Sequence, residues 1–357
     1  MDFNNFDNYK EIEQSLNTLY KSKKYDFTES SISNGLLDDL IQSGYVAIFN
    51  QDYEIKPLYI TALIFKQAGY NGINLDLFSF FIDIPNILSV TNNHIHTLQK
   101  HLEGKQLITS ALKEPYNHVE EGMLTKGFPI EEGYKISGIK SFVENYNQAT
   151  SILFSFQTSE GIKLALINKE RLKHLDHVTT SSKILSQIHF KDVEVNFKEI
   201  IEINNVLEVL NHIELSQKLM RSMFLEGVTK KMMELTSAYT ADRKQFDRPI
   251  ATFQAVSHRA ASMFIDQECL HLINKQALYS LAEKRNDMEN HILSAKAWSA
   301  DVAHNSSYSA QHLHGGMGVS KEYDLWKYCL LAKEHEIMND SRTVALNKLG
   351  KNITLNQ

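Results

Sequence analysis

The chain has 357 residues, of which 43% are hydrophobic and 22% are charged, the balance of an ordinary globular protein. The formal net charge is -6 and the 37 Lys and Arg residues form no polybasic block, which excludes an extended nucleic-acid surface. No stretch reaches the roughly 20 apolar residues that span a bilayer, and the polar first residues do not resemble a signal peptide, so we expect a cytoplasmic protein with no membrane partner.

The first part of the chain has the apolar spacing of helices. Apolar residues recur at intervals of three and four in the stretches 36–41 and 58–64. Turn-forming residues interrupt this pattern near Gly44, Gly69 and Pro85. We therefore predict an N-terminal helical domain over residues 1–105.

Short alternating runs then replace the helical pattern. Residues 151–157 and 162–167 alternate apolar and polar side chains as half-buried strands do, and residues 187–195 keep four apolar residues for a core. These runs predict a middle β-domain over residues 106–200, built as a compact antiparallel sheet or a small barrel.

Helical spacing returns in the last part of the chain. Leu215, Leu219, Met223 and Gly227 fall four apart on one face, and Gly227 predicts the close approach of another helix or of a ligand. Further helices are expected after Pro249, around residues 295–302 and from about residue 323. Residues 201–357 therefore predict a C-terminal four-helix bundle, and the chain as a whole predicts an α+β fold that is mostly α.

Cysteine and histidine give little indication of a metal site. We expect Cys269 and Cys329 to be small core residues in a reducing compartment. His94, His96 and His101 lie close in sequence, but no Cys or carboxylate stands at a suitable ligand spacing, so we expect surface or turn positions. The sequence predicts no metal.

Two C-terminal segments carry a resemblance to the acyl-CoA dehydrogenase family. Residues 243–254 read RKQFDRPIATFQ, and this segment resembles the family element in which an Arg and a Phe precede a Pro-Ile and a Phe-Gln pair. Residues 312–325 read HLHGGMGVSKEYDL, with Lys296 on the preceding helix, and are similar to the family's Gly-Gly turn between the last two bundle helices. The helical, β and helical parts also follow the family's order.

The chemistry of these segments suits a pyrophosphate. Gly315, Gly316 and Gly318 let a backbone approach a ligand closely, and at a helix start such a turn would present free N–H groups. Arg243 offers a planar, permanently charged fork to phosphate oxygens.

The resemblance implies an FAD site completed by two subunits. In the family, the Arg and the Phe-Gln pair of one subunit touch FAD that is held mainly by its neighbour. Carried onto this chain, the implied cofactor-binding residues are Arg243, Phe253, Gln254, Gln311, His312, Gly315, Gly316, Phe142 and Ser341. A homodimer, a homotetramer or a hetero-oligomer with a related subunit is therefore expected.

The two places where family members carry the catalytic Glu hold amides here. That Glu removes the proton α to the thioester carbonyl, and it stands either in the last bundle helix or on the first. The corresponding residues are Asn339 and Gln217. An amide cannot act as the base, so Asp340 is the candidate catalytic residue, with Glu214 and Glu226 as alternatives.

The predicted β-domain also departs from the family pattern. Where the family has Thr-Glu-Pro, residues 113–115 of this chain are Lys-Glu-Pro. Where it has Trp-x-Thr, residues 142–144 are Phe-Val-Glu. Phe142 keeps the ability to stack, whereas Glu144 puts a potential anion beside the flavin unless it is protonated or turned away. Asp247 replaces the usual Gly after Phe246.

The resemblance favours an FAD-dependent α,β-dehydrogenation of an acyl thioester, carried by CoA or by a carrier protein. An electron acceptor such as electron-transfer flavoprotein would then be a partner. Segment 312–325 looks most like bacterial members acting on bulky thioesters, some of which pair two unlike subunits with one base. A flavin-dependent monooxygenase and an FAD-binding partner subunit or scaffold without a base remain as alternatives.

Overall fold

The structure, a computed structural model, describes residues 9–49, 56–115 and 123–355. These residues divide into two compact units. The helical unit contains 9–27, 56–75 and 215–355, and the sheet unit contains 28–49, 76–115 and 123–214. The predicted α+β, mostly α fold class is confirmed. The three predicted domains, with boundaries at residues 105 and 200, stay a prediction.

The helices and strands have the following bounds in chain order. The helices are α1 (Lys10–Ser22), α2 (Leu36–Gln42), α3 (Pro57–Tyr70), α4 (Ile84–Leu88), α5 (Ile95–Leu102), α6 (Val206–Asp242), α7 (Gln254–Ala282), α8 (Met288–His314), α9 (Leu325–Ile337) and α10 (Arg342–Leu355). The strands are β1 (Ile108–Ala111), β2 (Lys126–Ile130), β3 (Gly133–Glu144), β4 (Ser151–Thr158), β5 (Gly161–Asn168), β6 (Lys173–Val178), β7 (Ile184–Asn196), β8 (Ile200–Ile201), β9 (Lys244–Gln245) and β10 (Arg248–Pro249).

The helical unit is built around α8, which contacts α7, α9 and α10. Helix α6 contributes Leu219 and Met223 to the buried core, as its spacing predicts, and α8 contributes Ala295 and Val302. Apolar side chains three and four apart form one stripe of a helix, so packing these stripes together removes them from water. The predicted last bundle helix ends at Ile337, and α10 follows it as a separate helix.

Two glycines bring α3 and α6 into close contact. A Cβ on Gly227 would overlap the backbone of Lys66 and Tyr70, and a Cβ on Gly69 would overlap the backbone of Phe224. Only residues without side chains allow two helix backbones to cross this closely. The prediction that Gly227 marks the approach of another helix is confirmed.

The sheet unit holds one open, mixed sheet. Its strands follow the order β6-β7-β3-β2-β4-β5-β8, with β1 added beside β4. Strands β1 and β2 each pair with β4 in parallel, and the other neighbours are antiparallel. The predicted strands are confirmed as β4, β5 and β7, whereas the alternative of a closed barrel is wrong. Ile152, Phe154 and Phe156 of β4 lie at the centre of this core.

Two single-residue expectations are wrong. Cys269 is exposed on α7, and Cys329 alone is buried as predicted. His101 is buried, not at the surface, and both ring nitrogens have partners: Nδ1 accepts a hydrogen bond from the Ile108 N–H at 3.2 Å, and Nε2 lies 3.4 Å from the Phe80 carbonyl oxygen. Burial lowers the pKa of His101 to about 4.

No helix among the described residues is both long and apolar enough to cross a membrane. Within the same part of the chain, no cluster of three His, Cys, Asp or Glu side chains is arranged to hold a metal ion.

Candidate functional site

A short β-hairpin begins directly after α6 and exposes Arg243. Strands β9 and β10 pair around Phe246 and Asp247, whose φ angles are 53° and 62°. These left-handed conformations favour Gly, although Asp tolerates them better than most residues. The guanidinium of Arg248 lies 4.3 Å from the centroid of the Phe253 ring, which ties the hairpin to the start of α7. Arg243 and Gln254, the first residue of α7, remain exposed.

The glycine-rich turn begins where α8 ends. Gly315 has φ 58° and ψ −134°, and Gly315–Val319 forms a short 3₁₀ segment. This backbone conformation ends α8, and α9 begins only at Leu325, so the glycines lie in a turn between the two helices and not in the first turn of α9. Backbone N–H groups for an anion would therefore come from the 3₁₀ segment.

The first two glycines of the turn face open space. A Cβ on Gly315 or Gly316 meets no described heavy atom within 4 Å, whereas a Cβ on Gly318 would lie 2.6 Å from the Gln311 carbonyl oxygen. Gln311 is half-buried and His312 is exposed on the last turn of α8. Gly318 thus packs the turn against α8, and Gly315 and Gly316 leave their outer side accessible to a ligand.

A stacked pair anchors this turn beside Arg243. The imidazole of His314 stacks on Tyr239 with ring centroids 4.4 Å apart. The backbone N–H of Arg243 donates a hydrogen bond to the Tyr239 carbonyl oxygen at 2.9 Å. Burial lowers the pKa of His314, which keeps the ring neutral at neutral pH. The Gly-Gly turn and the end of α6 therefore lie together. Sequence reasoning missed this pair, although Tyr239 stands one helical turn before Arg243.

The two amides at the predicted base positions contact each other. Gln217 Oε1 accepts a hydrogen bond from Asn339 Nδ2 at 2.8 Å. Asn339 Oδ1 in turn accepts from Arg221 Nε, and Arg221 Nη1 lies 3.3 Å from His335 Nδ1. Sequence reasoning found both amides but missed Arg221, which follows Gln217 by one helical turn.

Asp340 is held between two lysines. Its side chain is 5% exposed, and its Oδ2 lies 3.1 Å from both Lys218 Nζ and Lys348 Nζ. Asn339 and Asp340 have φ angles of 53° and 80°, so the connection from α9 to α10 is a left-handed turn. Ser341 follows, half-buried, and its carbonyl oxygen accepts the Ala345 N–H in the first turn of α10.

Lys296 supports the same turn from α8. Its buried Nζ donates to the His335 and Glu336 carbonyl oxygens at 2.8 and 3.0 Å, the free carbonyls at the end of α9. Burial, together with the charges of Arg221 and Lys218, lowers the pKa of Lys296 to about 7, although Asp340 and Glu336 oppose this effect.

Glu226 is engaged in a buried network. Its Oε1 lies 3.2 Å from Lys66 Nζ and 2.8 Å from His271 Nδ1, and its Oε2 accepts from Asn274 Nδ2 at 2.8 Å. Burial acts to raise the pKa of Glu226, but Lys66 and the other partners outweigh it and hold the pKa well below its ordinary value. Such a carboxylate is a weak base. The other alternative, Glu214, is half-buried on α6.

In the sheet unit, Phe142 stands at a β-bulge. The pairing of β3 with β7 shifts register between Lys140 and Val143, and Phe142 takes a φ of 59° with half of its surface exposed. Glu144 is buried, and its Oε2 accepts the Phe78 N–H at 3.1 Å. The bulge thus presents an aromatic face, while the carboxylate of Glu144 is turned to a backbone donor.

Glu114 of the Lys-Glu-Pro segment forms a buried ion pair. Its Oε1 lies 2.7 Å from Lys140 Nζ and accepts the Thr125 N–H at 2.9 Å. Burial lowers the pKa of Lys140 to about 8, although the carboxylate of Glu114 opposes this effect. These contacts give Glu114 a structural role in the sheet unit.

Residues 215–354, which contain the hairpin, the glycine-rich turn and the amide pair, match the family model described as acyl-CoA dehydrogenase, C-terminal domain. The resemblance to the acyl-CoA dehydrogenase family is therefore confirmed over residues 215–354 of the chain. Acyl-CoA dehydrogenase FadE27 of Mycobacterium tuberculosis is 26% identical over 266 residues, which are 71% of this chain and 68% of that relative.

Solved structures share the acyl-CoA dehydrogenase fold over nearly the whole chain. PigA with FAD and proline has a TM-score of 0.88 at 21% identity, with 100% of both chains covered. The ChsE4-ChsE5 complex from Mycobacterium tuberculosis has a TM-score of 0.84 at 19% identity, with 96% of both chains covered. At these identities the likeness establishes the fold alone.

Proposed function

We propose that this chain is an FAD-binding subunit of an oxidoreductase acting on the CH–CH group of an acyl thioester. We further propose that another subunit supplies the carboxylate that removes the α-proton. The hydrogen bond between Gln217 and Asn339 carries this proposal. A neutral amide has no basic site for the proton at neutral pH, and here the two amides are also hydrogen-bonded to each other.

The described residues fit a flavin dinucleotide. Arg243 is exposed and can offer two parallel N–H donors to phosphate oxygens, and Gly315 and Gly316 leave backbone accessible beside open space. Gln254, Gln311 and His312 add polar groups near these elements. We assign the hydroxyl of Ser341, which follows the amide pair at the other end of α6, to a flavin completed by a second protomer. Phe253 and Phe142 provide aromatic faces, and that of Phe142 is half exposed. Bound FAD would supply the acceptor for the hydride that leaves the β-carbon.

The chain's own candidate base is Asp340. Lys218 and Lys348 both lie 3.1 Å from one of its two carboxylate oxygens, so this carboxylate is already paired with two cations of the chain. This arrangement favours a partner with its own carboxylate over proton abstraction by Asp340. The ChsE4-ChsE5 complex, which shares this fold, is named after two different chains. CoA or carrier-protein thioesters, an acceptor such as electron-transfer flavoprotein, and a cytoplasmic location stay predictions.

Anaerobic titration tests the proposal. The chain, purified alone and reconstituted with FAD, should be yellow and should keep its 450 nm absorbance when a panel of acyl-CoA thioesters is added. The tagged chain purified from its native cells should bring a second acyl-CoA dehydrogenase chain, and that complex should be bleached. Bleaching of the chain alone would overturn the role of the partner.

An Asp340→Asn variant separates the remaining explanations. If Asp340 is the base, the wild-type chain alone is bleached and the variant is not. A colourless chain that takes up no FAD would indicate a scaffold. A yellow chain that is inert to thioesters in every assembly, yet consumes O₂ with substrate after reduction by a flavin reductase, would indicate a monooxygenase.

A further inference from the structure

Helix α6 presents a buried cation to the position that carries the base in related chains. Arg221 is 2% exposed, and its Nε donates to Asn339 Oδ1. A guanidinium stays protonated at every pH at which the protein is folded. Asn339 therefore lies against a permanent positive charge.

Other cations surround the same turn. The charged and titratable groups around it are Lys218 and Arg221 from α6, Lys296 from α8, His335 and Glu336 from α9, Asp340 from the turn itself, and Lys348 from α10. Of the two carboxylates in this set, Asp340 is contacted by Lys218 and Lys348, and Glu336 pairs with Lys333. Burial is the main cause of the lowered pKa of Lys296, and the charge of Arg221 adds to it.

We propose that Arg221 is a positioning residue that reverses the electrostatics of the base position, so that a carboxylate restored at residue 339 cannot work as a base until Arg221 is also replaced. This inference rests on the proposed function. A neighbouring guanidinium lowers a carboxylate pKa by about 1–3 units, and each unit removes driving force for proton uptake. This chain thus opposes proton abstraction at residue 339 in two ways: the residue is an amide, and the guanidinium of Arg221 lies beside it.

The first test measures the pKa of a carboxylate placed at residue 339, on the chain without flavin. Asn339→Asp changes little in shape, and Asp tolerates the left-handed backbone of this residue. Urea unfolding is followed from pH 2.5 to 7 for Asn339→Asp alone and combined with Arg221→Gln, which keeps a hydrogen-bond donor but no charge. Arg221→Lys is the matched control, because it keeps the charge.

With Arg221 or Lys present, the introduced carboxylate should have a folded-state pKa below the ordinary Asp value of about 3.9. Its contribution to stability should be complete above that pH and lost only as the pH falls through the lower folded value. With Gln, we expect the folded-state pKa to be higher by one unit or more. The same pKa in the Arg and Gln backgrounds would overturn the proposal.

The second test uses the flavin-loaded chain and acyl-CoA under anaerobic conditions. Asn339→Asp alone should bleach no faster than the wild type, whereas Asn339→Asp with Arg221→Gln should bleach at least tenfold faster than the single variant. Equal rates in the single and double variants would count against the inference. Bleaching of the unmodified chain would instead defeat the proposed function, and the pKa comparison would still decide the role of Arg221.

Discussion

Gln217 and Asn339 share a 2.8 Å hydrogen bond although 122 residues separate them in the chain. The resemblance to the acyl-CoA dehydrogenase family names these residues as two alternative places for one catalytic carboxylate. Their contact shows that the two places are neighbours in space. A base on either element would therefore serve the same region, which explains how related chains can differ in where they carry it.

Replacing Arg243 should weaken flavin binding without unfolding the chain. A charge-assisted hydrogen bond contributes about 1.5–3 kcal/mol, so we expect the Kd for FAD to rise roughly ten- to hundredfold in Arg243→Ala. Equilibrium dialysis with FAD measures the change. Lys244→Ala, an exposed change on the same hairpin, is the control and should leave the Kd within about twofold. Equal effects of the two variants would argue against a phosphate contact.

The neighbouring glycines of the turn should separate ligand binding from folding. The Cβ of Gly316→Leu meets open space, so we expect the free energy of unfolding to change by less than about 0.5 kcal/mol while FAD affinity falls at least tenfold. Gly315→Ala forces a side chain onto a φ of 58° and should cost about 1–3 kcal/mol. Urea unfolding and FAD titration of both variants check this. Unchanged flavin affinity in Gly316→Leu would remove the turn from the proposed site.

The crossing of α3 and α6 should not tolerate a methyl group. In Gly227→Ala the new Cβ would overlap the Lys66 carbonyl oxygen, and relieving that overlap requires the helices to separate. We expect a loss of about 1–3 kcal/mol or more in the free energy of unfolding. Gly350→Ala, at an exposed position of α10, is the matched control, with no described atom within 4 Å of the new Cβ, and should gain up to about 1 kcal/mol. Thermal and urea unfolding of both variants measure the difference.

The Glu226 network should make stability depend on acid. Lys66 and the other partners lower the folded-state pKa of Glu226 below its ordinary value of 4.5. Its contribution is therefore fully present above pH 4.5 and is lost progressively as the pH falls below that value. Glu226→Gln should be destabilised by about 3–5 kcal/mol at pH 7 and should lose less stability than the wild type between pH 4.5 and 2.5.

An exposed ion pair provides the comparison for Glu226. Glu283 pairs with Lys56 at 2.6 Å with both side chains about half exposed. Glu283→Gln should therefore change the free energy of unfolding at pH 7 by less than about 1 kcal/mol. Comparable losses in the two variants, or the same acid dependence in Glu226→Gln as in the wild type, would contradict the role assigned to the network.

Regular patterns in the sequence predicted the fold better than they predicted the site. The four-residue spacing through Leu219 and Met223 and the alternation of β4 report packing on one face, which periodicity detects. Gly227 was interpretable for the same reason, because a glycine on the packed face of a helix indicates that another backbone comes close to it. The backbone conformation of Gly315 was not, since a Gly-Gly turn between two helices can close the first helix or open the second, depending on one dihedral angle.

The missed residues act through partners distant in the chain. The charge of Arg221 matters because residue 339 folds against it, and His314 matters because it stacks on Tyr239. A lone Arg in the apolar stretch 219–224 was the available signal, since a buried charge requires a partner. Sequence alone gives no means of naming that partner.

The length of α6 limits what one protomer can offer to one cofactor. Gln217 and Asp242, the last residue of the helix, are 25 residues apart, or about 38 Å along the axis at about 1.5 Å per residue. Over that distance, we expect Gln217 and the hairpin beside Arg243 of one protomer to lie at different flavin molecules. In an assembly of wild-type protomers with protomers substituted at both ends of α6, the two substitutions should therefore affect different flavins.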